Sequence, residues 1–360
     1  MERATVAIYD DRGLSWAAGH SAPGQRVLAE AFASRVEPGR PRLDVGCGAG
    51  RYTALLGAPI IGIDASPVML DACRQLVPEG RYVVGDVEAL PFARGSLGGA
   101  WSWMTHLHVP KVRLPMALWD LHRVLSVGTP FALQVLEGSY EGNALEDDDV
   151  GGRFFAGWDA ASLTDVVTGA GFVVDESSVT VSGDELRLQA TRARTLADTV
   201  GPDMRLLVAG LNPSLNAADA GIGFARPGNR FWPAALAAGV VTRDRDPLHA
   251  LRVDRVGMTD QVKRATSAAD ALTADEYRDG LDRLDRLVEW LKPRAVCFVG
   301  LAGWRAASGH RKATAGQQPS TLGGRPVYVL PSTSGLNARS TPADLASHLR
   351  DALELADHGC

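Results

Sequence analysis

Between residues 40 and 140, short apolar runs alternate with segments whose apolar positions recur every three or four residues. The first kind reads as buried parallel strands and the second as amphipathic helices, the pattern of a doubly wound α/β sheet. It predicts strands over 42–46, 60–64, 82–85, 100–104 and 130–137, with helices over 49–56, 66–76 and 111–125. Ser66-Pro67 is a helix-start signal, a capping hydroxyl ahead of a proline in the first turn. The acidic, glycine-flanked stretch 137–152 reads as a loop, 158–170 as a helix stopped by Gly171, and 172–181 and 185–193 as closing strands.

Gly201-Pro202 marks a turn just before a new apolar run, and the alternation restarts there. The expected division is a domain over 1–195, a linker over 196–204 and a second domain over 205–360. The second half predicts a strand at 205–209, a helix near 230–238, and a long helix from about 274 to 291. That helix opens with Thr273 and Glu276 spaced as a capping box and ends before Pro293. Strands at 295–299 and 327–330 and a C-terminal helix from Pro342 complete it.

Composition alters this picture little. With 360 residues, 46% of them hydrophobic and 22% charged, the chain reads as two ordinary globular domains. No run approaches the roughly 20 apolar residues of a membrane helix, and no secretory signal is evident at the N-terminus, so a cytoplasmic monomer with no membrane partner is expected. Cys47, Cys73, Cys297 and Cys360 are scattered, which predicts no disulfide framework and no metal site. Residues 1–195 carry 17 Lys/Arg against 24 Asp/Glu, and the remainder 20 against 18. The second half is therefore the better placed to approach a polyanion.

Leu43-Asp44-Val45-Gly46-Cys47-Gly48-Ala49-Gly50 closes the first strand, and its glycines let backbone approach a ligand closely. Asp64 ends the next strand, where a carboxylate can take both hydroxyls of a ribose. Asp86 ends the third, in Val83-Val84-Gly85-Asp86-Val87. This triple resembles class I S-adenosylmethionine-dependent methyltransferases across most of residues 5–193. The resemblance implies that Asp44 with Gly46, Gly48 and Gly50 holds the methionine moiety, Asp64 the ribose, and Asp86 with Val87 the adenine of S-adenosylmethionine. It leaves the methyl acceptor unknown. His106 and His108, after the fourth strand, either line an acceptor pocket or serve as surface or helix-capping residues.

Gly210-Leu211-Asn212-Pro213-Ser214 follows the strand at 205–209, and Gly223-Phe224-Ala225-Arg226-Pro227-Gly228-Asn229-Arg230-Phe231-Trp232 follows shortly after. Leu330-Pro331-Ser332-Thr333-Ser334-Gly335-Leu336-Asn337-Ala338-Arg339 leaves the last strand, so both motifs fall at the carboxyl ends of parallel strands, where open sheets bind ligands. Over roughly 205–355 these motifs resemble mismatch-specific uracil/thymine-DNA glycosylases of the uracil-DNA glycosylase superfamily. The resemblance implies that Asn212 positions the attacking water, that Phe224 stacks on the flipped pyrimidine with Ile222 in the same pocket, and that Gly221 and Gly223 let main-chain amides reach its carbonyl oxygens. It further implies that Ser332 and Ser334 meet phosphate, that Gly335 belongs to the same DNA-binding segment, that Leu336 wedges into the vacated stack, and that Arg339 contacts the opposite strand or a phosphate. No lysine occupies the Asn212 loop, so a monofunctional enzyme without lyase activity or cofactor is expected, acting on double-stranded DNA with mismatched uracil or thymine. Ser214 stands where some relatives have glycine and Ser332 where many have asparagine, which leaves uracil, thymine and alkylated cytosine open as bases. The expected fold is two doubly wound three-layer α/β/α domains, a Rossmann-like methyltransferase fold followed by a uracil-DNA glycosylase fold. The alternative is a methyltransferase joined to a degenerate DNA-binding glycosylase-like domain.

Overall fold

The computed structural model describes residues 1–19, 25–146, 148–268, 271–335, 337 and 339–358. It divides into two compact α/β units, Met1–Thr168 with Phe172–Ala193, and Gly169–Gly171 with Arg194–Cys360.

The first unit begins with helices α1 (Arg3–Gly19) and α2 (Arg26–Arg35), neither of which the apolar pattern predicts. The apolar residues of α1 are spread around its circumference and gather on no one face, so the helical periodicity is missing. Strands β1 (Arg42–Val45), β2 (Ile60–Asp64), β3 (Arg81–Val84), β4 (Gly99–Trp103) and β5 (Pro130–Glu137) follow close to the expected places. β6 (Glu141–Gly142) and β7 (Phe155–Trp158) bracket the acidic loop. The expected strand 172–181 is instead two, β8 (Phe172–Val174) and β9 (Thr180–Ser182), parted by a 3-10 turn that the Asp175 side chain caps. β10 (Glu185–Arg192) runs antiparallel to β5. The sheet order β3-β2-β1-β4-β5-β10-β8 reverses direction at β1, and β1 to β5 are parallel. The reversal makes the carboxyl end of β1 the topological switch point, where open parallel sheets bind ligands.

Helix α3 (Pro67–Leu76) begins as predicted, with Ser66 Oγ accepting from the Met69 amide at 3.1 Å. α4 (Leu114–Val124) and α5 (Ala160–Gly169) also form. The helix expected over 49–56 does not: those residues make successive turns. Gly50 and Gly57 have positive φ at either end, and the segment between is too short to repay helix nucleation.

The second unit holds β11 (Leu206–Gly210), β12 (Val256–Asp260), β13 (Ala295–Val299), β14 (Gly316–Leu322) and β15 (Arg325–Leu330). They are ordered β12-β11-β13-β15-β14, parallel except for β14. Helices α6 (Leu215–Ala220), α7 (Phe231–Ala237), α8 (Pro247–Arg252), α9 (Ala274–Leu291), α10 (Leu301–Ser308) and α11 (Pro342–His358) connect or flank them. The capping box of α9 is realised in both directions between Thr273 and Glu276. Phe231, Trp232, Tyr328 and the apolar face of α11 cover one side of the sheet in a continuous core.

Residues 196–204, expected as a linker, are packed. Leu196, Val200 and Met204, four apart, are buried, and Thr199 exchanges two 2.9 Å backbone hydrogen bonds with Met258 of β12. Asp198 is buried beneath them, bonded to Lys263 Nζ at 2.6 Å, Arg283 Nη1 at 2.9 Å and Thr259 Oγ1 at 2.7 Å. Burial alone would raise its pKa, but the two cations outweigh that and hold the carboxyl below its usual range.

Candidate functional site

In the first unit, the loop after β1 is shaped by Gly46, Gly48 and Gly50, all at positive φ. A Cβ on Gly46 would collide with the Thr105 side chain, and one on Gly50 would lie 2.9 Å from Cys73 Sγ. Asp64 faces this loop: Oδ2 accepts from the Gly48 amide and Oδ1 from the Ser66 amide, each at 2.9 Å. Burial pushes its carboxyl up against those two bonds. The turn structure of 49–56 removes the expected helix terminus, so the amides here belong to the loop alone.

Asp44 lies under the loop. It is 2% exposed, accepts from Thr53 Oγ1 at 2.7 Å, and burial pushes its pKa up to about 7. Asp86 is half-buried, with the α-amino group of Met1 at 2.9 Å from both its oxygens, and Val87 is buried. His106 and His108 are core residues. His106 Nδ1 meets Ser102 Oγ at 2.6 Å, His108 lies between Tyr9 Oη at 2.9 Å and the Phe154 carbonyl at 2.6 Å, and burial pushes both imidazoles down to about 4.

In the second unit, Asn212 sits two residues past β11. Its Nδ2 donates to Thr266 Oγ1 at 2.8 Å, to the Arg264 carbonyl at 3.0 Å and to the Pro213 carbonyl at 3.3 Å. Two carbonyls can accept only from the nitrogen end, which fixes the amide's orientation. Its Oδ1 accepts no hydrogen bond among the described residues. Ser214 caps α6 through a 3.1 Å bond from the Ala217 amide, and Gly221 ends that helix at positive φ.

The amides of Gly221 and Ile222 donate to the Ala217 carbonyl. Those of Gly223 and Phe224 have no acceptor among the described residues. Trp232 Nε1 holds the Gly223 carbonyl at 2.8 Å. Phe224 has φ of 57° and stacks on buried Phe231 at 4.2 Å between ring centroids. Positive φ in an aromatic residue is a strained choice, stabilised here by that stack. Ile222 packs beside it on the core.

Arg230 ties this loop to the segment after β15. Its backbone amide bonds the Thr333 carbonyl at 2.9 Å, and its guanidinium reaches the carbonyls of Ser334, Asn337 and Ser340 at 2.9, 2.7 and 2.5 Å. A Cβ on Gly335 would approach the Gly228 carbonyl to 2.7 Å, so that position requires glycine. Ser332 is exposed, and its Oγ accepts from the Ser334 amide at 3.3 Å. Arg339 is exposed. Leu336, expected as the wedge, lies outside the described residues.

One residue of this site is not anticipated by the motifs. Asp260 closes β12 in register with Gly210 of β11. A carboxylate at the carboxyl end of the strand neighbouring Asn212 was the available signal, and an unpredicted β12 hid it.

The family model described as Uracil DNA glycosylase superfamily matches residues 197–354, and the one described as Methyltransferase domain matches residues 43–133. The chain joins a methyltransferase domain to a uracil-DNA glycosylase superfamily domain. Solved structures similar to the chain include an S-adenosylmethionine-dependent methyltransferase from Methanosarcina mazei, at 15% identity over 45% of this chain and 97% of that one, TM-score 0.39. Another, from Mesorhizobium loti, is 18% identical over 47% and 97%, TM-score 0.39. A TehB-like S-adenosylmethionine-dependent methyltransferase from Corynebacterium glutamicum is 21% identical over 53% and 100%, TM-score 0.39. By the two family models, both domains belong to enzyme families. Among the described residues no helix is long and apolar enough to cross a membrane.

Proposed function

We propose that the second domain is a monofunctional DNA glycosylase that hydrolyses the bond between deoxyribose and a flipped uracil or thymine in G·U or G·T mismatches. The observation that carries this reading is Asn212, whose amide nitrogen is anchored while its oxygen accepts nothing among the described residues, two positions beyond the Gly210 strand end that the Phe224 ring edge reaches. An amide oxygen can accept from a water and aim its lone pair at C1′ without being a strong base. The C1′–N1 bond breaks with its electron pair leaving on the pyrimidine. The water oxygen bonds C1′ of the oxocarbenium-like sugar, and its released proton neutralises the base anion. Of the two glycine amides expected to reach a pyrimidine carbonyl, that of Gly221 is taken by the Ala217 carbonyl, so those of Gly223 and Phe224 would receive it, and the outer face of the Phe224 ring would stack on the base, worth roughly 1–3 kcal/mol.

The 332–339 loop, braced by Arg230, is the surface proposed to enter the DNA groove, with Ser332, Ser334 and Gly335 at phosphate and Arg339 at the opposite strand. A duplex carrying G·U or G·T, treated with alkali after incubation, would be cut at the mismatch. A fully paired duplex would stay intact. Cutting of neither mismatch would sink the reading.

We further propose that the first domain, over about 1–195, binds S-adenosylmethionine and transfers its methyl group to an acceptor. Gly46, Gly48 and Gly50 would admit the cofactor, Asp64 would accept from the ribose hydroxyls with its remaining lone pairs, and Asp86 with Val87 would border the adenine. Asp44 acts from below, holding the loop through Thr53. Bound there, the cofactor supplies an electrophilic methyl carbon. Calorimetry with S-adenosylmethionine should show binding that Asp64→Ala abolishes; no heat from the folded wild type would contradict it.

A further inference from the structure

Asp260 borders the Phe224 ring edge at the end of β11, where the proposed function puts the flipped base. It pairs in register with Gly210, and a Cβ added to Gly210 would collide with Asp260 Oδ1 while touching Phe224 Cζ at 3.5 Å. The carboxylate and the ring edge therefore flank one point above the end of β11. Asn212 is anchored toward Arg264 and Thr266, on the loop that follows Asp260. Asp260 thus lies on the Phe224 side of the site, while Asn212 is held by the loop that follows it.

The Asp260 carboxylate makes no hydrogen bond among the described residues. The charged groups around it are Lys263 on the following loop, Arg283 on α9 and Asp198 ahead of β11. Both cations bond Asp198, and Arg283 otherwise meets the Thr259 hydroxyl and the backbone carbonyl of Asp260.

Resting on the glycosylase reading, we infer that Asp260 is a base-facing specificity residue whose protonation state governs excision of uracil and thymine. These bases depart with negative charge spread over N1 and the carbonyl oxygens. A fixed carboxylate beside them, in a site of low dielectric, opposes that charge as it develops. The neutral acid reverses the interaction, since its hydroxyl can donate to a pyrimidine carbonyl. Burial pushes the Asp260 carboxyl up to about 6, with Lys263 and Arg283 opposing and Asp198 adding to the rise, so the change falls in an accessible range. Asparagine at this position would keep the shape, carry no charge, and donate through its amide at every pH.

The test is single-turnover release of uracil from a G·U duplex between pH 5 and 8, for wild type, Asp260→Asn and Asp260→Ser, with thermal unfolding of each protein as the check on folding. For a group titrating at about 6, the wild-type rate should fall roughly 30-fold from pH 5 to pH 7.5. Asp260→Asn should lose that slope and exceed wild type at pH 7.5 by a similar factor, and Asp260→Ser should lose the slope as well. A wild-type profile that is flat, a slope surviving in both variants, or loss of excision in folded Asp260→Asn at every pH overturns the inference and leaves the glycosylase reading standing. Absence of excision by all three proteins at every pH removes the glycosylase reading, and this inference with it.

Discussion

The amide nitrogen of Asn212 lies 2.8 Å from the hydroxyl of Thr266, and the Thr266 amide lies 3.1 Å from the Pro213 carbonyl next to Asn212. These bonds hold the loops after β11 and β12 together and fix which end of the amide faces outward. On the proposed glycosylase reading, Thr266 is a positioning residue for Asn212. Thr266→Val keeps the volume and deletes one bond from Asn212. Single-turnover excision should drop on the order of 10-fold, with affinity for the mismatched duplex, measured by fluorescence anisotropy, unchanged. Equal losses in rate and affinity would point to a general loosening of the loop.

Arg230 gathers three carbonyls of the 332–340 segment, and charge-assisted bonds of this kind contribute about 1.5–3 kcal/mol. Arg230→Ala should therefore destabilise the second domain by about 2–3 kcal/mol in urea unfolding and speed proteolysis within 332–340. Arg230→Lys should recover little, because an ammonium cannot span carbonyls that a planar guanidinium reaches. Unchanged proteolysis in Arg230→Ala would remove its bracing role.

Much of this arrangement is readable in the sequence wherever local chemistry and position agree. Apolar runs such as Ile60–Asp64 and Leu206–Gly210 are buried on both faces, and so declare themselves as strands. Ser66-Pro67 and the Thr273/Glu276 pair start helices through bonds to their own nearby amides, which makes them visible without tertiary context. The misses have the opposite character. Val256–Asp260 mixes Gly257, Thr259 and Asp260 among its apolar residues, and it is a strand because β11 supplies a partner edge. Helix α1 lacks a single apolar face, and the 49–56 segment looks helical by composition yet is bent by its glycines. At the proposed site, the motifs point to Asn212 and Phe224 from sequence alone. Asp260 becomes visible only once β11 and β12 are seen side by side.

Asp198 contributes to the second domain through a buried cluster with Lys263 and Arg283. Asp198→Ala leaves two cations without their shared partner, and removing one member of a buried pair costs about 3–5 kcal/mol. The second domain should unfold at markedly lower urea concentration. Because the native carboxyl is held below its unfolded value, this stabilisation is present above the unfolded pKa and is lost as pH falls through the folded one. A variant as stable as wild type at pH 7 would show that the cluster contributes nothing.

Asp44 predicts the reverse dependence. Its folded pKa is raised from 3.8 to about 7 by burial, so the native state favours the protonated form. Its contribution is complete below the unfolded value and is lost as pH rises from about 4 through about 7. Asp44→Asn should therefore flatten the pH dependence of first-domain unfolding over that window, raising the melting temperature at pH 8 by several degrees relative to wild type. Identical slopes in both proteins would mean that the carboxyl is not buried as described.

The most direct measurement is the rate of free uracil released from a G·U duplex in a single turnover by wild type, Asn212→Ala and Asn212→Asp. A water held by the Asn212 oxygen predicts a loss of at least about 100-fold in Asn212→Ala, while Asn212→Asp, which keeps an oxygen at that point, retains excision. Asn212→Ala releasing uracil as fast as wild type would contradict it.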